Sequence, residues 1–146
     1  GYCFQNCPSN IPTHQLYATS KDGLHWEKKS EPFVTFENTM YAEGAAESQL
    51  VFGPDGYLYL FFNTIQHGKA TEEPHKIGVA RSRSMEGPWA VSEKAILLPE
   101  TEGFEAGGVV APHVIIEGEK VRLWYHGQTK GSIKIGYAET YWPLDF

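Results

Sequence analysis

The sequence predicts an all-β protein built of repeated four-stranded antiparallel units, and three observations carry that expectation. Runs of strand length rich in aromatic and aliphatic residues recur, as in Tyr57-Leu58-Tyr59-Leu60-Phe61-Phe62 and Val121-Arg122-Leu123-Trp124-Tyr125-His126. The runs also sit in the same local order each time. Gln49 to Gly56 leads into the first and Lys76-Ile77-Gly78-Val79-Ala80-Arg81-Ser82 follows it; about sixty residues later His113 to Gly118 leads into the second and Lys134-Ile135-Gly136-Tyr137-Ala138-Glu139-Thr140 follows. Finally, glycine and proline fall mostly between the runs as turn formers, and no segment has the apolar spacing of a long amphipathic helix. A unit of a few short strands cannot bury its own apolar faces, so it must pack against sister units, as blades do in a β-propeller.

We name the strands of a unit A to D, outward from the common axis. In the first unit, B is expected near Tyr2–Gln5, C at Gln15–Ser20, then a Lys21-Asp22-Gly23 turn and D at Leu24–Lys28; it has no A strand. The central unit is complete. Its A strand is expected at about Gln49–Phe52, then a Gly53-Pro54-Asp55-Gly56 turn, B at Tyr57–Asn63, C at Lys76–Ser82 and, past Glu86-Gly87-Pro88, D from Trp89 to about Glu93. The last unit has A at Pro112–Ile116, B at Val121–Tyr125 and C at Ile133–Glu139. Its D strand is restricted to Tyr141-Trp142-Pro143-Leu144, which Pro143 weakens because it has no N–H to pair. Residues 1–146 therefore make one domain of roughly two and a half units, fewer than the four to eight blades with which a propeller closes. Open strand edges favour association, either of the chain with itself or with the remainder of a propeller.

Composition narrows the function classes. With 41% hydrophobic and 14% aromatic residues the chain is no disordered segment. A net charge of −6 argues against a nucleic-acid partner, which needs clustered Lys and Arg, and suits a neutral substrate. No apolar run is long enough to suggest a membrane span. The two cysteines, Cys3 and Cys7, allow a short disulfide loop of small stabilising effect but form no metal signature, so neither a metal nor another cofactor is expected. The chain begins at Gly1 without a signal peptide and reads as processed, trimmed or partial.

Several turns carry a family likeness. Ser82-Arg83-Ser84-Met85-Glu86-Gly87-Pro88-Trp89 resembles the Ser-x-Ser-x-x-Gly-Pro-aromatic turn of glycoside hydrolase family 43, and Ala18-Thr19-Ser20-Lys21-Asp22-Gly23-Leu24-His25-Trp26 resembles the equivalent turn there and in family 32. The resemblance implies a partial five-bladed β-propeller, a carbohydrate partner, and a secreted or periplasmic location. It also implies catalytic carboxylates at the start of innermost strands, facing an axial pocket. Glu47-Ser48-Gln49-Leu50-Val51-Phe52 is similar to the family 43 run that holds the general acid, with Ser48-Gln49 in place of its Gly-Pro; Glu43-Gly44 is the rival placement. Ala111-Pro112-His113-Val114 resembles the Ala-Pro-Asp-Val of the auxiliary aspartate, with His113 in place of the acid. That exchange fits a blade that only lines the pocket, or an enzyme in which histidine moves the proton. The family's catalytic base has no counterpart, since the first unit's A strand is missing.

Glycoside hydrolysis needs two carboxyl groups about the scissile bond, one protonating the leaving oxygen and one activating water or attacking carbon. Glu47 follows Ala45-Ala46 and opens an apolar strand, which suits an acid in a tight, partly dry place. His113 sits at the corresponding start of the next A strand, with an imidazole that titrates near neutrality. His67-Gly68 and His126-Gly127 end B strands, which return antiparallel to the rim where A begins. Phe104 and Tyr41, on the segments leading into A strands, are the candidate sugar-stacking rings; Trp26, Trp89 and Trp124 suit packing better. The expected site is therefore Glu47 as acid, with Glu43, His113, His126, Phe104 and Tyr41 binding substrate. The leading function is hydrolysis of a glycosidic bond in a poly- or oligosaccharide, once the missing blades are supplied. The alternatives are a catalytically silent carbohydrate-binding propeller and a structural fragment.

Overall fold

The computed structural model describes residues 14–41, 44–64 and 74–146. The expected first strand near Tyr2–Gln5, the two cysteines, Glu43 and His67 lie outside them. The described elements are β1 (Ala18–Ser20), β2 (Trp26–Lys28), β3 (Ala45–Phe52), β4 (Leu58–Thr64), β5 (Ile77–Ser82), β6 (Ala90–Val91), a 3-10 turn at Gly103–Glu105, β7 (Gly108–Glu117), β8 (Lys120–Thr129) and β9 (Ser132–Tyr141). Among the described residues the sheets are β1-β2, β3-β4-β5-β6 and β7-β8-β9, all antiparallel between neighbours. These are successive blades, and the chain is all-β as its repeat predicts.

Alternation explains why the blades stack. Leu58, Leu60 and Phe62 of β4 point to one side, where Leu60 and Phe62 join Val34, Phe36, Tyr41, Ala45 and Ala80 in a core behind the first blade. Tyr59 and Phe61 point to the other side and pack with Ile77, Val79, Val109, Val114, Val121, Leu123 and Tyr125 against the last blade. Enclosed on both faces, β4 is buried along its whole length. That is why it reads as a continuous apolar run rather than an alternating one. Gly78 is required where it stands, since a Cβ there would lie 2.7 Å from the Phe62 ring.

The two serine-rich turns are held in the same way. Ser20 Oγ accepts from the N–H of Asp22 and Gly23, and the Trp26 indole donates to Gly23 O at 3.1 Å. In the central blade Ser82 Oγ accepts from Ser84 N, Ser84 Oγ from Glu86 N, and the Trp89 indole donates to Met85 O at 3.2 Å. Asp22 is committed to this turn: the N–H of His25, above all, holds its carboxyl well below the usual carboxylate range.

Two expectations need correction. Strand A of the last blade runs from Gly108 to Glu117, far longer than Pro112–Ile116, because pairing with β8 continues on both sides of an irregularity. The terminal segment forms no fourth strand there. Trp142 turns back instead, meeting the Tyr59 ring edge-on at 4.8 Å, while Arg81 lies over the Phe146 ring at 4.0 Å. Burial of these rings against the central blade outweighs strand pairing that Pro143 could not complete.

Candidate functional site

The site is built where the innermost strands β3 and β7 begin. The start of β3 lies beside the end of β4 (Ala45 opposite Thr64), and the start of β7 beside the end of β8 (Gly108 opposite Gln128). Both innermost strands carry a one-residue irregularity at the same height. In β3, Ala46 pairs with Asn63 and Ser48 with Phe62, leaving Glu47 as the extra residue. In β7, Val110 pairs with His126 and His113 with Trp124, so Ala111 and Pro112 together face Tyr125. Bulges of this kind re-aim a side chain and bend the strand. Ala111 holds φ at +52°, a left-handed conformation uncommon for a residue with a Cβ.

This register fixes equivalences that were hidden in the sequence. Ala111 is the counterpart of Glu47, His113 of Gln49, and His126 of Asn63. His113 therefore sits two residues deeper than Glu47 rather than at the corresponding strand start. The irregularity adds a residue, and only the pairing reveals it.

Neutral polar side chains hold the Glu47 bulge from several segments. Gln15 donates to Ala45 O at 2.8 Å and accepts from Ser48 Oγ at 2.6 Å, so it spans the bulge. Asn63, 3% exposed, reaches it from β4. Assigned with its nitrogen toward Glu47, the amide places Nδ2 2.8 Å from Glu47 Oε2 and 3.2 Å from Glu47 O. Gln49 then clasps the next blade, donating to Val114 O at 3.0 Å and accepting from Val114 N.

The remaining candidates are distributed as follows. His113 and His126 are exposed on the face of the last blade turned away from the central one, with the His113 ring 6.4 Å from Trp124 and Trp124 5.2 Å from Tyr137. Phe104 lies in the 3-10 turn against Gly127, where a Cβ would come within 2.4 Å of its ring. Tyr41 is 1% exposed and edge-on to Phe62, so its ring is committed to the core and does not serve as an open sugar platform. The segment before β3 turns inward because Phe62 offers it an apolar seat, which sequence spacing does not reveal. Glu43 lies outside the described residues.

Sequence reasoning missed Gln15, Asn63 and Glu105. The signal for Asn63 was an amide ending an otherwise apolar run. Glu105, buried three residues before β7, accepts hydrogen bonds from Tyr125 Oη and from Glu100 N at 3.3 Å. Burial, with the Glu105 hydrogen bond second, pushes the Tyr125 phenol above its ordinary value of about 10. Tyr41 and Tyr59 shift the same way, chiefly through burial. Below pH of about 10 folded and unfolded chains both keep these protons, and stability does not depend on them. Above it the unfolded chain releases protons that the folded chain retains, so stability falls as pH rises. Denaturant midpoints between pH 8 and 11 should therefore drop above about 10, and less steeply in Tyr125→Phe.

Fold and strand-start geometry together define part of a β-propeller. Solved structures agree. The chain is similar to Zg3597, a family 117 glycoside hydrolase of the marine bacterium Zobellia galactanivorans, with 18% identity and a TM-score of 0.76, over 93% of this chain and 42% of that one. It is similar to a thermostable family-43 glycoside hydrolase (17% identity, TM-score 0.62, 87% of this chain and 42% of that one). A glycosyl hydrolase from Bacteroides ovatus aligns at 10% identity and a TM-score of 0.57, over 66% of this chain and 29% of that one. The chain thus spans less than half the length of each of these. No protein-family model and no curated protein matches the sequence. Among the described residues no group of three His, Cys, Asp or Glu is arranged to hold a metal, and no helix is long and apolar enough to cross a membrane.

Proposed function

We propose that this chain is part of a glycoside hydrolase propeller, with Glu47 the general acid acting on a poly- or oligosaccharide. The observation that carries the reading is the Glu47 bulge at the start of an innermost strand, clamped by Gln15 and Asn63. A carboxyl so fixed meets the positional demand of proton delivery to a leaving oxygen. The likeness to glycoside hydrolase folds supports the same class.

The histidines take their roles from the repeat. Asn63 reaches from the central blade toward the bulge of the next one, donor Ala111 N lying 3.3 Å from its amide. His126 holds the equivalent place in the last blade and so reaches toward the strand start of a further blade, at the pocket rim. His113, equivalent to Gln49, lines the pocket one step deeper or clasps the following innermost strand. Phe104 remains a candidate stacking ring, and the partner carboxylate belongs to a blade outside this chain. Ile133, Ile135 and Tyr137, exposed on the open face by 65%, 73% and 47%, are the surface through which the chain associates.

The test is release of reducing ends from a panel of plant and microbial polysaccharides by the propeller completed with its remaining blades. Hydrolysis is expected. Retained sugar binding with no release identifies the silent binding propeller instead, and neither binding nor release identifies a structural fragment. Sedimentation of the isolated chain should show association, and a stable monomer at high concentration would remove that part of the reading.

A further inference from the structure

The Asn63 amide can be seated in two senses, and each suits a different form of Glu47. With Nδ2 toward Glu47, it donates to Oε2 at 2.8 Å and to the main-chain O at 3.2 Å. An ionised carboxylate only accepts, so it needs this seating. With Oδ1 toward Glu47, the oxygen accepts from Ala111 N at 3.3 Å while Nδ2 faces Thr64 O at 3.5 Å. In this sense a protonated Glu47 has an acceptor for its O–H at the same 2.8 Å separation. Asn63 is 3% exposed, so neither end of the amide is relieved by bulk water, and its seating follows its neighbours.

We infer that Asn63 is a positioning residue for Glu47, its amide reversing between the charged and neutral forms of that carboxyl so that both are held in one seat. This rests on Glu47 being the acid of the proposed function. The reversal also carries information across the blades: the Ala111 N–H, at the left-handed bulge of β7, gains its acceptor only when Glu47 is neutral. When Glu47 gives its proton to the leaving glycosidic oxygen, that oxygen keeps the electron pair of the broken C–O bond and water completes the anomeric carbon. The amide then turns Nδ2 to the new carboxylate.

Two measurements decide the inference. The first uses the isolated chain and needs no activity: side-chain and main-chain amide NMR of the native chain and of Glu47→Gln, whose amide imitates the protonated acid. In the native chain at neutral pH the Asn63 NδH2 protons should show a strong nuclear Overhauser contact to the Ala111 N–H. In Glu47→Gln that contact should vanish and the Ala111 N–H should move downfield as it becomes hydrogen-bonded. The same seating in both proteins overturns the inference. The second uses the completed propeller. Asn63→Ala should lower kcat about tenfold to a hundredfold with KM within twofold, and lower it no further in the Glu47→Gln background. The loss should shrink on 4-nitrophenyl glycosides, whose leaving group needs little protonation. An equal loss with and without Glu47, or on both substrate types, assigns Asn63 a packing role and overturns the inference. If the completed propeller hydrolyses nothing, the enzymatic reading fails by itself, and the amide spectra still decide whether Asn63 follows the charge of Glu47.

Discussion

Glu47→Gln lowers kcat of the completed propeller on a natural oligosaccharide by about a thousandfold while sugar affinity changes little. General acid assistance contributes roughly a hundredfold to ten-thousandfold, and the amide removes it without altering shape. Gln15 and Asn63 continue to grip the bulge, since neither bonds through the charge alone: Gln15 binds Ala45 O and Ser48 Oγ, and Asn63 binds the main-chain O as well as Oε2. The binding surface therefore stays in place. Aryl glycosides with good leaving groups recover much of the rate, which distinguishes loss of a proton donor from loss of fold. Steady-state kinetics on both substrate types, with calorimetric titration of the sugar, provide the check. Unchanged turnover would remove Glu47 from the chemistry and return the role to Glu43 or to another blade.

Phe62→Ala is the substitution with the largest expected cost in stability. The side chain is 0% exposed, with rings of Phe36 at 4.8 Å and Tyr41 at 5.1 Å, and it fills the space above Gly78. Removing a buried phenylalanine costs about 3–5 kcal/mol, transfer and cavity combined. In a chain of this size that corresponds to a fall in melting temperature of roughly 10–15 °C. The damage is not confined to packing. Phe62 is the residue opposite Ser48, immediately beyond the Glu47 bulge, so collapse of the core also loosens the seat of the candidate acid. Differential scanning calorimetry measures the first effect. A shift under about 3 °C would mean that the core behind β4 carries little of the stability.

How far the site could be read from the chain differs between residues. Glu47 was legible because an acid before an apolar strand follows from order along the sequence. Its equivalence to Ala111, and not to His113, was hidden. An irregularity in pairing adds a residue without leaving a mark in composition, and the two innermost strands come into step only when each is laid on its partner. Tyr41 misled for a related reason: a tyrosine on a connecting segment is ordinarily half exposed, but here Phe62 and Gly78 provide a cavity that draws it in. Asn63 and Gln15 act through bonds to residues more than ten positions away, and no local spacing announces those.

The sequence alone determined the class. Alternating and fully apolar runs of strand length, punctuated by glycine turns and repeated, leave stacked antiparallel blades as the way to bury both faces of β4. The serine-rich turns were equally local, since their hydroxyls bond to N–H groups two or three residues ahead. The tertiary structure decided what depends on contact between distant segments: the bulge at Glu47, the amide between two innermost strands, and the terminal Trp142 folding onto Tyr59 instead of extending a sheet. Periodicity is written along one strand at a time, whereas register, burial and hydrogen-bond partners exist only between strands.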